Sequence, residues 1–358
     1  MLREIDISYR TMFAELTQRT LDAQFVADFP LEGWFVTVTV KDRDYWYFDL
    51  PTPEGKDKRR YVGPHSDEAI TARVKAHKEI KDNIRERRRI VSTLRRSGLP
   101  GPDPFAGAVT RALADAGLFR LRAVLIGSVA FSTYAGMLGV RLPSAVMQTG
   151  DADFAQDFAI SAEVKDSLPP ILEVLQSVDP DFRAVPHQAD RAKIVAFQNA
   201  RGYRVEFPTG NRGSEEYTGK PSPMPARGGA SAENLRFLDY LIYEPVRTVL
   251  LFREGVNVLV PAPERYAVHK LIISSRRRSD ALGRLKADKD LSQAALLFQA
   301  LVETRHNDEL ADAWEEAWDR GDAWKEGIVN GLLRLPKNGV KALENALGPE
   351  TLEIALQR

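Results

Sequence analysis

The chain contains no cysteine. That excludes a disulfide scaffold and any thiolate-ligated metal centre, and it says nothing of compartment. Net charge is missing too: 50 Lys and Arg offset 50 Asp and Glu, so bulk electrostatics would not hold the whole molecule on a polyanion. No apolar run is long enough to cross a bilayer. The first ten residues carry no apolar segment of the signal-peptide kind, so a soluble, cytoplasmic protein with no membrane partner is expected. Of the 358 residues, 44% are apolar, enough for two or three domains with a real core.

What is present centres on residues 121–155. The apolar run Val124, Leu125, Ile126 leads into Gly127-Ser128, then small and apolar residues, then Asp151-Ala152-Asp153. Side chains alternate across a strand, so Asp151 and Asp153 share a face. Like charges held that close are costly unless a cation neutralises them, and a divalent metal ion is the usual answer. A Gly-Ser turn at a helix start offers backbone N–H groups and a hydroxyl to a phosphate. No His-Asp pattern accompanies Ser128, which argues against a hydrolase triad.

In this order the two motifs resemble the signature of polymerase-β-type nucleotidyltransferases, and among them the bacterial branch that includes the AbiEii-type toxins. The resemblance covers residues 105–305. It implies an α+β fold with a mixed-sheet core and a helical C-terminal lobe. It also implies Mg²⁺- or Mn²⁺-dependent transfer of a nucleoside monophosphate from an NTP to an acceptor hydroxyl, and an antitoxin protein as a candidate partner. Gly127 and Ser128 would hold phosphates and Asp151 and Asp153 the metal. Glu206, in the strand Arg204-Val205-Glu206-Phe207, would be the third carboxylate, as general base or shared metal ligand. Lys270, followed by Leu271, would face the triphosphate, with Lys289 and Asp290 contributing from the next helix. Gln293 departs from the pattern, since a second acid is common there. The loop Gly139–Thr149 reads as an insertion between helix and strand.

Along the chain, residues 4–28 read as a helix and 33–40, 44–50 and 60–63 as the strands of a small antiparallel meander. A single helix is expected over 66–96, then a linker at Ser97–Pro104. Next come a helix over 105–117, paired short helices broken at Pro169-Pro170, and strands at 182–186, 192–199 and 202–208. Residues 209–232, rich in Gly, Pro and Ser, read as a long mobile loop. A hairpin turns at Glu254-Gly255, and from Pro261 onward the pattern is helical. Three segments result: 1–98, 105–260 and 261–358.

Residues 56–96 hold 14 Lys or Arg against 6 Asp or Glu, an asymmetry hidden by the neutral total. In outline the N-terminal segment resembles the three-stranded arm-type DNA-binding domains of integrases. Tyr45, Trp46, Tyr47 and Tyr61 are candidates to stack on unpaired bases, with the Arg-rich helix tracking phosphates. Alternatively these aromatics are the core of a small sheet. Structured RNA, tRNA in particular, is the expected acceptor. The competing reading is a nucleic-acid-binding regulator whose transferase-like core is inactive.

Overall fold

A computed structural model describes residues 2–30, 33–50, 58–77, 83–143, 150–163, 166–211 and 219–357. Helix α1 (Ile7–Asp28) starts where Asp6 accepts from the Ser8 amide, 2.8 Å away, and buries Phe13, Leu16 and Phe25. Strands β1 (Trp34–Val40), β2 (Arg43–Leu50) and β3 (Lys58–Pro64) form the expected antiparallel meander. Lys41 and Asp42 both have positive φ, the backbone of a tight two-residue hairpin that pairs Val40 with Arg43. Residues 51–57, within the polar loop read before the third strand, lie outside the described residues.

The meander is covered on both faces, and this decides the fate of its aromatics. Tyr47 (1% exposed) and Tyr61 (3%) join the main core, while Phe48 and Val62 pack with Phe25, Phe29 and Ile70. Trp46 is half-buried, stacks on His65 at 4.7 Å and donates to the Thr71 hydroxyl. Of the two readings of these rings, core of a small sheet is therefore the one that describes Tyr47 and Tyr61.

Where one helix is expected over 66–96, two helices are found, α2 (Glu68–Ala76) and α3 (Ile84–Arg96); residues 78–82 lie outside the described residues. The physical reason for the restart is local. Asn83 caps α3 by accepting from the Glu86 amide, as Asp67 caps α2 by accepting from Ile70. Val91 and Leu94 of α3 pack with Phe13 and Leu16. Arg87 is buried and donates to the Glu254 carbonyl at 2.9 Å, Arg88 pairs with the Glu254 carboxylate at 3.2 Å, and Arg95 donates to the Leu251 carbonyl. Residues 97–103 thus connect two parts of the chain that are already stitched together through residues 251 and 254.

Helix α4 (Pro104–Asp115), capped by Asp103, precedes β4 (Val124–Ile126), α5 (Gly127–Leu138), β5 (Asp151–Ala155), α6 (Phe158–Glu163), α7 (Ile171–Gln176), β6 (Arg183–Pro186), β7 (Ile194–Gln198) and β8 (Arg204–Glu206). The strands form a mixed five-stranded sheet in the order β4-β5-β8-β7-β6, with β5 and β8 parallel and the other pairs antiparallel. α5 is buried nearly all round, as its small and apolar composition requires. The fold class is α+β. Of the insertion read at Gly139–Thr149, residues 144–149 lie outside the described residues.

The stretch read as a mobile loop, 209–232, is ordered where it is described; residues 212–218 lie outside. β9 (Thr209–Gly210), β10 (Pro221–Pro223) and β11 (Ser231–Leu235) make a small sheet in the order β10-β11-β9, with a 3₁₀ turn at Pro225–Arg227. Buried polar side chains replace apolar ones in holding it: the Thr209 hydroxyl donates to the Gln156 carbonyl and Ser222 to Asn234.

Beyond α8 (Leu238–Leu241) and the hairpin β12 (Val246–Leu250) and β13 (Val256–Val260) the chain is helical: α9 (Pro263–Ser274), α10 (Ala281–Glu303), α11 (Asn307–Asp319), α12 (Asp322–Leu332), α13 (Lys337–Leu347) and α14 (Pro349–Leu356). α9 packs on α10, α11 and α12, and one apolar core runs from Tyr47 to Ala355. No helix among the described residues is long and apolar enough to cross a membrane.

Candidate active site

Sheet register does most of the assembly. Asp153 is the register partner of Ile126 on β4 and of Glu206 on β8, and Asp151 is the partner of Arg204. The two aspartates and Glu206 therefore project from one face of adjacent parallel strands. Ala152 and Val205 between them point into the core, 1% and 0% exposed. Gly127 follows Ile126 directly, so the start of α5 stands beside Asp153. Its φ is +69°, and a Cβ on it would come within 3.0 Å of Asp153 Oδ2. Ser128 is half-buried in the first turn of α5, whose N-cap residue, Ile126, offers no side-chain hydrogen bond to the helix start.

The electrostatics are those of crowded anions. Burial, then Asp151 and Glu206, push the Asp153 carboxyl up to about 8. Glu206 is held by Arg204, whose Nε donates to its Oε1. Glu233 of β11 is raised by burial and then by Glu206, which makes it a fourth carboxylate at the edge of the group. Among the described residues, no three His, Asp or Glu side chains converge closely enough to hold an ion as they stand.

The helical lobe supplies the cations. Lys270 on α9 is 7% exposed and Asp290 on α10 is 2% exposed; Lys270 Nζ lies 2.6 Å from Asp290 Oδ1, and Arg277 Nε lies 2.7 Å from Oδ2. Burial raises Asp290, but Lys270 and Arg277 outweigh it and hold the carboxyl below its ordinary value. Two cations against one carboxylate leave a net positive group, and Asp153 and Asp151 act electrostatically on Arg277 across the cleft. Lys286 Nζ stands 4.0 Å from Asp151 Oδ2. Lys289 is lowered by burial and then by Lys270, with Asp151 opposing.

All eight side chains and turn residues singled out from the sequence thus gather at one place, although Lys270 and Asp290 bind each other. Sequence reasoning missed Tyr266. Its hydroxyl lies 2.9 Å from the Gly127 carbonyl and 3.0 Å from Gln293 Oε1, tying the turn at Gly127 to the helical lobe. Gln293 is fully buried in this contact, which explains an amide where an acid is common. Arg277, three residues past the end of α9, joins the group through Asp290; in the sequence it stands in the basic run Arg276-Arg277-Arg278, which reads either as a solvated face or as a flank for an anionic substrate.

Carboxylates on a mixed sheet, a glycine turn opening a helix, and a cationic helical lobe across the cleft define a site for phosphate chemistry. Residues 105–319 match the model of a nucleotidyltransferase family, more than half of the chain, and the protein belongs to that family. No curated protein and no solved structure matches it.

Proposed function

We propose that the chain transfers a nucleoside monophosphate from an NTP to an acceptor hydroxyl with the help of a divalent cation. The observation that carries this is the β5–β8 register, which sets Asp153 beside Glu206 and in front of Gly127. The residues fit Mg²⁺ or Mn²⁺ in one respect that matters: Asp151 and Asp153 crowd each other, and burial, then Asp151 and Glu206, raise Asp153 by more than Lys270 and Lys286 lower it. Asp151 and Asp153 would hold the cation, with Glu206 joining once released from Arg204. When bound, it supplies Lewis-acid stabilisation of charge on the transferring phosphoryl group.

The chain's own residues do the rest. The start of α5, with Ser128, directs N–H groups and a hydroxyl at phosphate oxygens. Glu206 takes the proton of the acceptor hydroxyl as its oxygen bonds to the α-phosphorus. The bond from that phosphorus to the bridging oxygen breaks, and pyrophosphate leaves toward Lys270, Arg277 and Lys289, which meet its charge. Replacing Asp151 and Asp153 with Asn should abolish incorporation of labelled NTP with the fold intact. Activity surviving both changes would refute the site.

Structured RNA, tRNA in particular, is the acceptor we assign. Arg87 and Arg88 are taken up by Glu254, so support comes from Arg85, Arg89 and Arg96, which are exposed on α3. Reversing these three to Glu should flatten the salt dependence of RNA binding, by a slope of roughly 0.7–0.9 per lost phosphate contact. An unchanged slope would remove RNA from the reading. The Lys270-Leu271 step and the Lys289-Asp290 pair support the AbiEii-type branch and an antitoxin protein as partner. Growth arrest on expression, absent in the Asp151→Asn variant, is its test. The inactive-core alternative loses ground because Gln293 has a structural task at Tyr266.

A further inference from the structure

A second pocket lies at the far end of β4. That strand runs from Val124, the partner of Ala155, to Ile126, the partner of Asp153. The carboxylates sit at its end, whereas Arg122 stands two residues before its start. There Arg73 of α2, Arg120 and Arg122 before β4, and Arg247 of β12 line a cavity of about 50 Å³ with Asn257 of β13 and Asp28 of α1. Of the charged residues lining it, four are arginines and one, Asp28, is an acid. Burial raises Asp28 to about 6; burial also lowers Arg247, against the pull of Asp67 and with Arg122 and Arg73 adding to the fall.

Partners are short on this wall. Arg73 is answered by Asp22 and Arg120 by Asp166. Among the described residues, Arg122 and Arg247 have no ion-pair partner. Three buried atoms lining the cavity make no hydrogen bond: Arg120 Nε, Arg122 Nε and Asn257 Nδ2. The Arg120 side chain is 9% exposed and Asn257 is 4% exposed. All three are donors. Buried donors without acceptors, on a wall of like charges, call for an anionic guest rich in acceptors. Arg122 also holds φ of +61°, a strained backbone for a non-glycine residue, of the kind retained at ligand sites.

A larger cavity adjoins this one through Tyr61, Pro64 and Arg122. It measures about 350 Å³ and is walled by Tyr45, Tyr47 and Tyr61. Small-molecule pockets span about 300–1,000 Å³. Tyrosine faces suit a planar ring, and the shared Arg122 marks where a ring would join its anion. Neither cavity is lined by a residue of the candidate active site.

We propose that these joined cavities form a second ligand site that takes a nucleoside monophosphate, with its phosphate on Arg122 and Arg247 and its base against the half-buried Tyr45. The proposal rests on this geometry and not on the transfer reaction. The test uses the full chain carrying Asp151→Asn and Asp153→Asn, in EDTA, titrated calorimetrically with AMP, adenosine and inorganic phosphate. AMP should bind one to one, at least tenfold more tightly than adenosine or phosphate. Adding Arg122→Gln and Arg247→Gln should weaken AMP at least tenfold in protein still folded by circular dichroism. Should that variant not fold, Tyr45→Leu carries the same test, weakening AMP and sparing phosphate. No heat with AMP, or affinity unchanged by either set of substitutions, overturns the proposal. Phosphate binding as tightly as AMP overturns the place given to the base.

Discussion

Replacing Asp290 with Asn would strip the counter-charge from a buried lysine. Lys270 and Arg277 both lean on that carboxylate, and Lys270 has a side chain only 9% exposed. Removing one partner of a buried ion pair costs about 3–5 kcal/mol, because the remaining charge is left uncompensated. For a chain of 358 residues, an unfolding entropy of about 2.1 cal/mol/K per residue converts this to a fall in Tm of roughly 4–7 °C. If the pair faces the triphosphate, the NTP supplies the missing anion. The Tm gain on adding NTP with Mg²⁺ should then be larger in Asp290→Asn than in the parent protein. The double variant Lys270→Met, Asp290→Leu removes the buried pair, leaves only Arg277, whose side chain is 34% exposed, without its counter-charge, and should recover part of the lost stability while losing transfer. Thermal unfolding with and without NTP, beside incorporation of labelled NTP, reads all three quantities. An NTP gain that is unchanged or smaller in Asp290→Asn, or parental labelling by the double variant, refutes a phosphate-facing Lys270.

Four further outcomes are expected. The folded Asp153 stands near 8, above its ordinary 3.8, so the stability linked to this group is full below pH 3.8 and is lost as pH rises through about 8. In EDTA at pH 8.5, Asp153→Asn should be the more stable protein by about 3 kcal/mol, half the full conversion because the carboxyl is half-buried; the gap should close toward pH 4 in paired unfolding curves. Gly127→Ala sets a Cβ at φ +69° and 3.0 Å from Asp153 Oδ2, and should cost about 1–2 kcal/mol in urea unfolding along with much of the activity. Phe13→Ala should cost about 3–5 kcal/mol, since the ring is 5% exposed and packs on Gly136 of α5. For the same reason, removing residues 1–98 should abolish cooperative unfolding rather than release an independent core.

What the sequence made legible was local in origin. The period-2 placement of Asp151 and Asp153, and of Glu206 between Val205 and Phe207, needed only the geometry of a strand. The strands of the meander and the hairpin at Gly255 likewise came from alternation and turn residues. The illegible parts depend on distant partners. Nothing near Arg87 tells that its guanidinium will meet a carbonyl at residue 254, so a helix with a basic run looked like an open surface. Tyr61 reads as a stacking ring until the main core takes it in. Residues 209–232 looked like a loop because the hydroxyls of Thr209 and Ser222, which donate to the Gln156 carbonyl and to Asn234, carry no hydrophobic period.

The pairing of β5 with β8 also sets how this site can change over time. Asp153 and Glu206 are neighbours in space, yet α6, α7, β6 and β7 lie between them in the chain. From the standpoint of the carboxylates that stretch is a long connection, fixed at its ends and along β7, which pairs with β8. Lengthening or trimming it at its surface turns leaves the distance between Asp153 and Glu206 untouched. A single residue gained or lost within β8 has the opposite effect. It turns Glu206 into the core and brings an apolar neighbour to face Asp153. Variation in length is thus free in the connection and forbidden in the strand.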